Sequence, residues 1–253
     1  MAHEQRWAPQ VVDLGPGVLA AFTTRAGGVS RPPWDLLDLG LQVGDEERDV
    51  LANRARLAAW AGVPVAFGTQ VHGAAVLALD GPPHDERSVG VADAYVATSE
   101  DVAVAVLVAD CVPVLLADPQ ARVVAAVHAG RGGLVAGVVG AAVAAMAQHG
   151  ADPARIRAAL GPSIAGSSYE VPAAMRAEVG ARLPEAPATT AWGTPALDLR
   201  AATVGELARA GVTRVMRLDR DTFTDPGLFS HRRATAAGTA TGRSCGLVRL
   251  LPT

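Results

Sequence analysis

Hydrophobic residues occur in short runs that are interrupted by polar residues. The most apolar runs cover 102–108, 112–117 and 123–127; they are rich in valine and bounded by Asp, Pro or Gly. Runs of this length and composition are typical of strands buried on both faces. Shorter runs of the same kind predict further strands over 18–22, 63–68, 76–79, 93–97, 156–160, 212–218 and 245–251.

Helical periodicity alternates with these runs. The pattern predicts helices ending near 61, over 134–148, from about 172 to 180 and over 199–210, with a short helix starting at Pro153. Loops are expected over 80–90, over 183–194 and from 230 to about 240. We therefore expect an α+β fold: a single domain of mixed β-sheets flanked by helices, spanning 1–253, with 1–10 as a ragged N-terminal extension.

Composition narrows the class of protein. Half of the 253 residues are hydrophobic and only 4% are aromatic, so Ala, Val and Leu must build the core. The net charge of −3 provides no basic field for nucleic acid. Two cysteines form no disulfide framework, which makes a reducing cytoplasm the expected compartment. The first residues lack a signal-peptide pattern, and Asp110 and Pro113 interrupt the longest apolar stretch, so no membrane span is predicted.

Three residues with metal-binding side chains stand where predicted strands begin or end. They are His72, Cys111 and His128, and their spacing does not fit a zinc finger. Two histidines and one cysteine suit zinc, or copper, with one position left open for water or substrate. Two alternatives remain at this point: a catalytic pair with Cys111 as nucleophile and His128 as base, or a core cysteine with structural histidines. Asp110 is a candidate to orient a histidine ligand.

Arginines suggest an anion site. Arg25 follows a predicted strand in a glycine loop, and Arg232, Arg233 and Arg243 gather with Ser230 near the C-terminus. Guanidinium groups bind phosphate or carboxylate through paired hydrogen bonds. The alternative is a solvated turn whose arginines form salt bridges.

The order of short motifs resembles a known family. The motifs are TTRAGGVS, QVHG, ADA, ADCVPVLLAD, VHAGRGG, GPSI, YEV, SHRR and GR, and they extend from about residue 22 to 250. This series resembles the multicopper polyphenol oxidase, or laccase-domain, family. Its members are also named purine nucleoside phosphorylases and peptidoglycan editing factors.

The resemblance implies a site and an activity. It makes His72, Cys111 and His128 the metal ligands, with zinc more often than copper, and a fold similar to that of cysteine hydrolase toxins. The implied reactions are phosphorolysis of adenosine, inosine and methylthioadenosine to base and ribose 1-phosphate, and deamination of adenosine. The alternatives are a Cys-dependent amidase editing a peptidoglycan precursor and a copper-dependent polyphenol oxidase.

The motifs and the resemblance together predict the catalytic residues, the binding residues and the binding partners. The catalytic residues would be Cys111, His128 and Asp110. A nucleoside and phosphate are the expected partners, with a homodimer as the candidate assembly. The residues expected to bind substrate or phosphate are Arg25, Gln70, Tyr169, Ser230, Arg233 and Arg243.

The chain departs from the family's usual pattern at three places. Arg131 occupies a position where Trp is usual, and Asp221 one where Cys is usual. The segment LLDLG stands where SLNLG is usual. The change at 221 removes a second nearby thiol, which weakens the case for a site with several copper ions.

Overall fold

The computed structural model describes residues 7, 9–85 and 87–252. The strands are β1 (Gln10–Val12), β2 (Val18–Phe22), β3 (Val65–Ala66), β4 (Val76–Leu79), β5 (Ala94–Ala97), β6 (Ala103–Val108), β7 (Val112–Asp118), β8 (Val123–Ala129), β9 (Arg157–Leu160), β10 (Pro187–Thr189), β11 (Pro195–Leu197), β12 (Arg214–Arg217) and β13 (Ser244–Leu250). The helices are α1 (Glu47–Ala61), α2 (Arg131–Val135), α3 (Val138–Gln148), α4 (Ala173–Arg182), α5 (Leu199–Arg209) and α6 (His231–Ala236).

Two mixed sheets pack face to face. The six-stranded sheet has the order β12-β9-β7-β8-β5-β4, and the five-stranded sheet has the order β1-β2-β13-β6-β3. Along β7, Val114 and Leu116 face one apolar cluster while Leu115 and Ala117 face another. Successive side chains of a strand point to opposite faces, so a continuous apolar run is what a strand between two buried layers requires.

Helices cover the outer face of each sheet. Helices α3 and α5 pack on the six-stranded sheet, and α1 packs on the five-stranded sheet through Leu57 and Ala61. The expected α+β class with mixed sheets and flanking helices is therefore confirmed. Within the described residues, every helix is too short or too polar to cross a bilayer.

Several local predictions were wrong. The helix expected over 134–148 is two helices, because Gly137 takes a left-handed conformation with φ 85° between them. The residues after Pro153 form a turn, the expected loop at 230 contains α6, and the expected loop over 183–194 contains β10. Most of the supposed N-terminal extension lies outside the described residues, but its last residue, Gln10, begins β1. The extent of one domain over 1–253 stays a prediction.

The strand order brings several chain segments to one edge of the molecule. Strand β8 is antiparallel to both β7 and β5, so its C-terminal end lies beside the start of each. Strand β4 is parallel to β5, and β9 is antiparallel to β7. The starts of β4, β5 and β7 and the ends of β8 and β9 therefore meet there.

Candidate active site

The hairpin of β7 and β8 brings Cys111 to His128. Val112 pairs with Ala129, and Pro113 pairs with His128. Cys111 immediately precedes this register and is half-buried, whereas His128 is buried within β8. The side chain of His128 hydrogen-bonds the cysteine sulfur. Two residues far apart in the sequence thus become neighbours through ordinary strand pairing.

Asp93 positions both histidines. Its Oδ1 accepts a hydrogen bond from His128 Nδ1 at 2.8 Å and another from the His72 backbone N–H at 2.9 Å. Its Oδ2 accepts from the backbone N–H groups of Val71 and Gly73 at 3.1 and 2.7 Å. These bonds hold His72 at a φ of 59°, in the sparsely populated left-handed region. Because Nδ1 of His128 is used by Asp93, Nε2 is its nitrogen available for a ligand.

The three predicted ligands come together. One ligand atom from each of His72, Cys111 and His128 lies within 4.8 Å of the others, and Cys111 Sγ is 3.7 Å from His72 Nε2. Gly130 leaves room for this cluster, since a Cβ there would stand 2.6 Å from His72 Cδ2 and 3.0 Å from Cys111 Sγ. Two imidazoles, one thiolate and a glycine-lined space fit a metal of zinc or copper type.

The electrostatics favour a thiolate at Cys111. Burial alone raises the pKa of this thiol, but the adjacent His128 and His72 outweigh burial and lower the pKa to about 6. Burial likewise lowers the pKa of His128, and the thiolate and Asp93 outweigh it and raise the pKa to about 9. Both shifts favour a thiolate–imidazolium pair over a neutral thiol and a neutral imidazole.

Asp110 does not orient a histidine. Its Oδ1 accepts from the Thr222 hydroxyl and its Oδ2 from the Arg232 backbone N–H, both at 2.6 Å. The predicted role belongs to Asp93, because the β5–β8 pairing places that carboxylate against the imidazole. Asp110 instead joins the start of α6 to the β6–β7 turn, where its own φ is 89°.

The cluster lies in the wall of a cavity of about 710 Å³. This volume is within the usual range for small-molecule sites. The cavity extends from the metal-ligand cluster to the loop that follows Leu39, and its lining includes four arginines: Arg54, Arg87, Arg232 and Arg243.

Three residues expected to bind phosphate do not line this cavity. Arg233 donates to the carbonyl oxygens of residues 222, 223, 225 and 228. Arg25 donates to the Asp35 carbonyl and carboxylate at 2.8 and 2.9 Å, and its guanidinium lies 5.1 Å from the Phe229 ring centre. Ser230 caps α6 by accepting from the Arg233 backbone N–H. These side chains bond to loop backbone and to α6, away from the cavity, so the structure gives them a stabilising role and their binding of phosphate stays a prediction.

The other three expected binding residues line the cavity. The Gln70 amide bonds both the N–H and the carbonyl of Leu107, which ties the His72 loop to β6. Tyr169 lies beneath the Arg232 guanidinium, 5.0 Å from the ring centre, and accepts a hydrogen bond from Arg131. Arg243 is half-buried, and its Nη1 donates to the carbonyl oxygens of residues 241 and 242.

Sequence reasoning missed Asp93 and Gly130. Asp93 stands directly before a fully buried strand within the ADA motif, and that placement was the available signal. The unusual Asp221 also has a structural role, since it accepts from the Ala165 N–H and the Ser168 hydroxyl and so fastens the loop after β9.

Comparison with known proteins shows the family to which the chain belongs. The family model described as multi-copper polyphenol oxidoreductase laccase matches residues 19–251. The chain belongs to this family. Among curated relatives, a purine nucleoside phosphorylase of Streptomyces coelicolor is 51% identical, covering 89% of this chain and 94% of its own. One of Escherichia coli is 38% identical, with coverages of 88% and 91%.

Solved structures of relatives share the fold. A protein of Neisseria meningitidis superposes with a TM-score of 0.85 at 33% identity, covering 98% of this chain and all of that one. The protein YlmD of Geobacillus stearothermophilus gives 0.84 at 31% identity, with coverages of 94% and 93%.

Proposed function

We propose that this chain is a purine nucleoside phosphorylase with zinc on His72, Cys111 and His128. Its substrates would be adenosine, inosine and methylthioadenosine, which it converts with phosphate to the free base and ribose 1-phosphate, or 5-methylthioribose 1-phosphate from methylthioadenosine. The observation that carries the proposal is the convergence of these three ligands, within 4.8 Å, on one cavity of about 710 Å³. Relatives that cover most of the chain and are named purine nucleoside phosphorylases support the reaction class.

The donor set favours zinc because a thiolate and two neutral imidazoles leave one tetrahedral position open. When bound, zinc would supply Lewis acidity and lower the pKa of a coordinated water, which is also the requirement for deaminating adenosine. Asp93 keeps the His128 ring in the tautomer whose Nε2 can bind the metal. Gly130 keeps the space between His72 and Cys111 open.

The phosphate would bind to arginines of the cavity. Arg232 and Arg243 both line it, and they replace Arg25 and Arg233 in this role. Arg243 is held by the carbonyl oxygens of residues 241 and 242, which fixes its position before an anion arrives. A guanidinium fixed in this way binds phosphate at a smaller entropic cost than a mobile one.

The test combines metal analysis with product analysis. We expect one zinc per chain, base release from inosine only with phosphate, and inosine formation from adenosine without it. Cys111→Ala should lose zinc and both activities, whereas Cys245→Ala should keep them because Cys245 lies in the core outside the cavity. Full base release by Cys111→Ala would contradict the proposal.

A Cys-dependent amidase is the second candidate. The series Cys111, His128 and Asp93 has the order of nucleophile, base and orienting carboxylate, and the lowered pKa of Cys111 favours it. The two proposals differ in their dependence on metal. Protein stripped of metal by a chelator should lose phosphorolysis, whereas an amidase of this kind would keep or gain activity on a cell-wall peptide substrate.

Copper-dependent phenol oxidation is the third alternative, and oxygen uptake with a phenol would test it.

A further inference from the structure

Two carboxyl groups meet beneath the loop of residues 40–45 with too few hydrogen-bond donors. Asp38 Oδ1 accepts from the backbone N–H groups of Gly40 and Arg243 at 2.9 and 2.7 Å. Asp45 Oδ1 accepts from the Glu46 N–H at 2.8 Å. The Oδ2 atoms of both carboxyl groups are buried and have no donor among the described residues. The Asp45 carboxylate lies close enough to Asp38 to raise the pKa of Asp38.

The charged groups around Asp38 do not compensate for the missing hydrogen-bond donors of the two carboxyl groups. Among the described residues, the cations Arg54 and Arg243 interact with Asp38, and both favour its ionised form. The Arg54 Nε donates to the Leu39 carbonyl, and its guanidinium lies 4.2 Å from the Phe67 ring centre. Complete burial of Asp38 and the adjacent Asp45 carboxylate act in the opposite direction, and burial dominates, so the pKa of Asp38 rises to about 7.

One proton between the two groups satisfies the geometry. If both carboxyl groups were ionised, two buried acceptors of like charge would face each other, which is costly in a medium of low dielectric constant. A single proton converts that contact into an O–H···O⁻ hydrogen bond, the short and strong type. We propose that Asp38 and Asp45 share one proton between their Oδ2 atoms and that this proton holds the loop of residues 40–45 in the wall of the cavity.

The positions of the 40–45 loop and of Arg243 both depend on the pair of Asp38 and Asp45. Residues 40–43 and Arg243 line the cavity, and the same Asp38 oxygen binds the backbone at Gly40 and at Arg243. A Cβ at residue 40 would stand 2.8 Å from Arg243 Cγ, so the loop and this arginine are in direct contact. Asp38 is therefore a positioning residue for the cavity wall. A rise in the KM for phosphate at alkaline pH would follow, but that consequence rests on the proposed function; the shared proton does not.

The substitution Asp38→Asn tests the pair. An asparagine keeps the oxygen that accepts from Gly40 and Arg243, and its amide supplies a permanent donor to Asp45. The folded wild-type protein holds a proton that the unfolded chain has released between the ordinary pKa of 3.8 and the folded value of about 7. Its stability therefore falls as pH rises through this window and is lowest above it. We expect the Tm advantage of Asp38→Asn over wild type to grow by about 5 °C from about pH 5 to about pH 8.

Asp80→Asn is the matched control, since Asp80 is exposed and its substitution removes a charge without a buried partner. Its Tm should follow that of wild type at every pH. If the Tm difference between Asp38→Asn and wild type is independent of pH, the shared proton is wrong.

An NMR titration of the aspartate carboxyl groups tests the shared proton independently of stability and of enzymatic activity. Carbon-13 NMR of aspartate-labelled protein should show one carboxyl signal with a midpoint near pH 7, absent in Asp38→Asn. In Asp45→Asn the amide would donate to Asp38, so that midpoint should fall by at least about one pH unit. The amide resonances of Gly40 and Arg243 should shift with the same midpoint in wild type. A midpoint for Asp38 near its ordinary value of 3.8 would overturn the proposal.

Discussion

Asp93 and Asp38 are both completely buried, yet their acidities move in opposite directions. Burial is the largest influence on each and raises both pKa values. For Asp93 it is outweighed by hydrogen bonds from His128 and from the backbone at 71 and 73, so the pKa falls. Asp38 has two backbone donors and a competing carboxylate, so its pKa rises to about 7. For these two acids, the hydrogen-bond donors around each carboxylate set the direction in which its pKa moves.

Asp93→Asn should have the largest effect. Four N–H groups bind the two oxygens of Asp93, and asparagine offers only one acceptor oxygen. We expect a loss of about 3 kcal/mol of stability, as for breaking a buried charged network, together with a 10- to 100-fold loss of metal affinity. Denaturant unfolding and metal analysis would measure the two effects.

Asp118→Asn is the control that separates stability from site chemistry. Asp118 is equally buried and accepts from Gln120, Ala121 and Asp152 N–H groups and from Arg155, but it does not line the cavity. It should lower stability and leave metal content unchanged. Equal metal loss in both variants would show that Asp93 acts only through stability.

Gly130→Ala should have an intermediate effect. The added methyl group would stand 2.6 Å from His72 Cδ2 and 3.0 Å from Cys111 Sγ, so it would push against two of the three ligand side chains. Because the ring would have to turn away from Cys111, we expect metal affinity to fall by about tenfold, the scale of losing ligand orientation. Competition with a chromophoric chelator would measure it. Gly140→Ala, within α3 and with no atom within 4 Å of the new Cβ, should bind metal normally.

The same comparison can be made for two neighbouring arginines, Arg232 and Arg233, which differ in their hydrogen-bond partners. Their substitution should have the smallest effect of the changes considered. Arg233 has four carbonyl acceptors and does not line the cavity, whereas Arg232 lines it and donates to the Glu170 carbonyl. Arg232→Ala should raise the KM for phosphate several-fold with little change in Tm. Arg233→Ala should lower the Tm and leave that KM within about twofold in the folded fraction. The reverse pattern would return the phosphate role to Arg233.

The sequence indicated the three candidate metal ligands better than it indicated the residues around them. The meeting of Cys111 and His128 follows from two apolar runs joined as a hairpin, a local pattern that alternation and turn residues reveal. His72 could be proposed as a third ligand from residue type. The position of Asp93 before a buried strand marked it as unusual but did not show its partners, because the three N–H groups that it binds lie about twenty residues earlier and meet it only through the pairing of β4 with β5. The sequence also could not show that Arg25 and Arg233 bond to backbone carbonyl oxygens outside the cavity, because an arginine in a loop and one that faces a ligand look the same in a sequence.

By itself, the sequence determined which segments are strands and helices in the core, and which three side chains have the chemistry to bind a metal. It did so because burial requires apolar residues at a period that the chain displays locally. The tertiary structure decided which carboxylate orients His128, which arginines face the cavity, and which buried acid lacks a donor. Those properties depend on hydrogen-bond partners, and partners are brought together by contacts between segments that are distant along the chain.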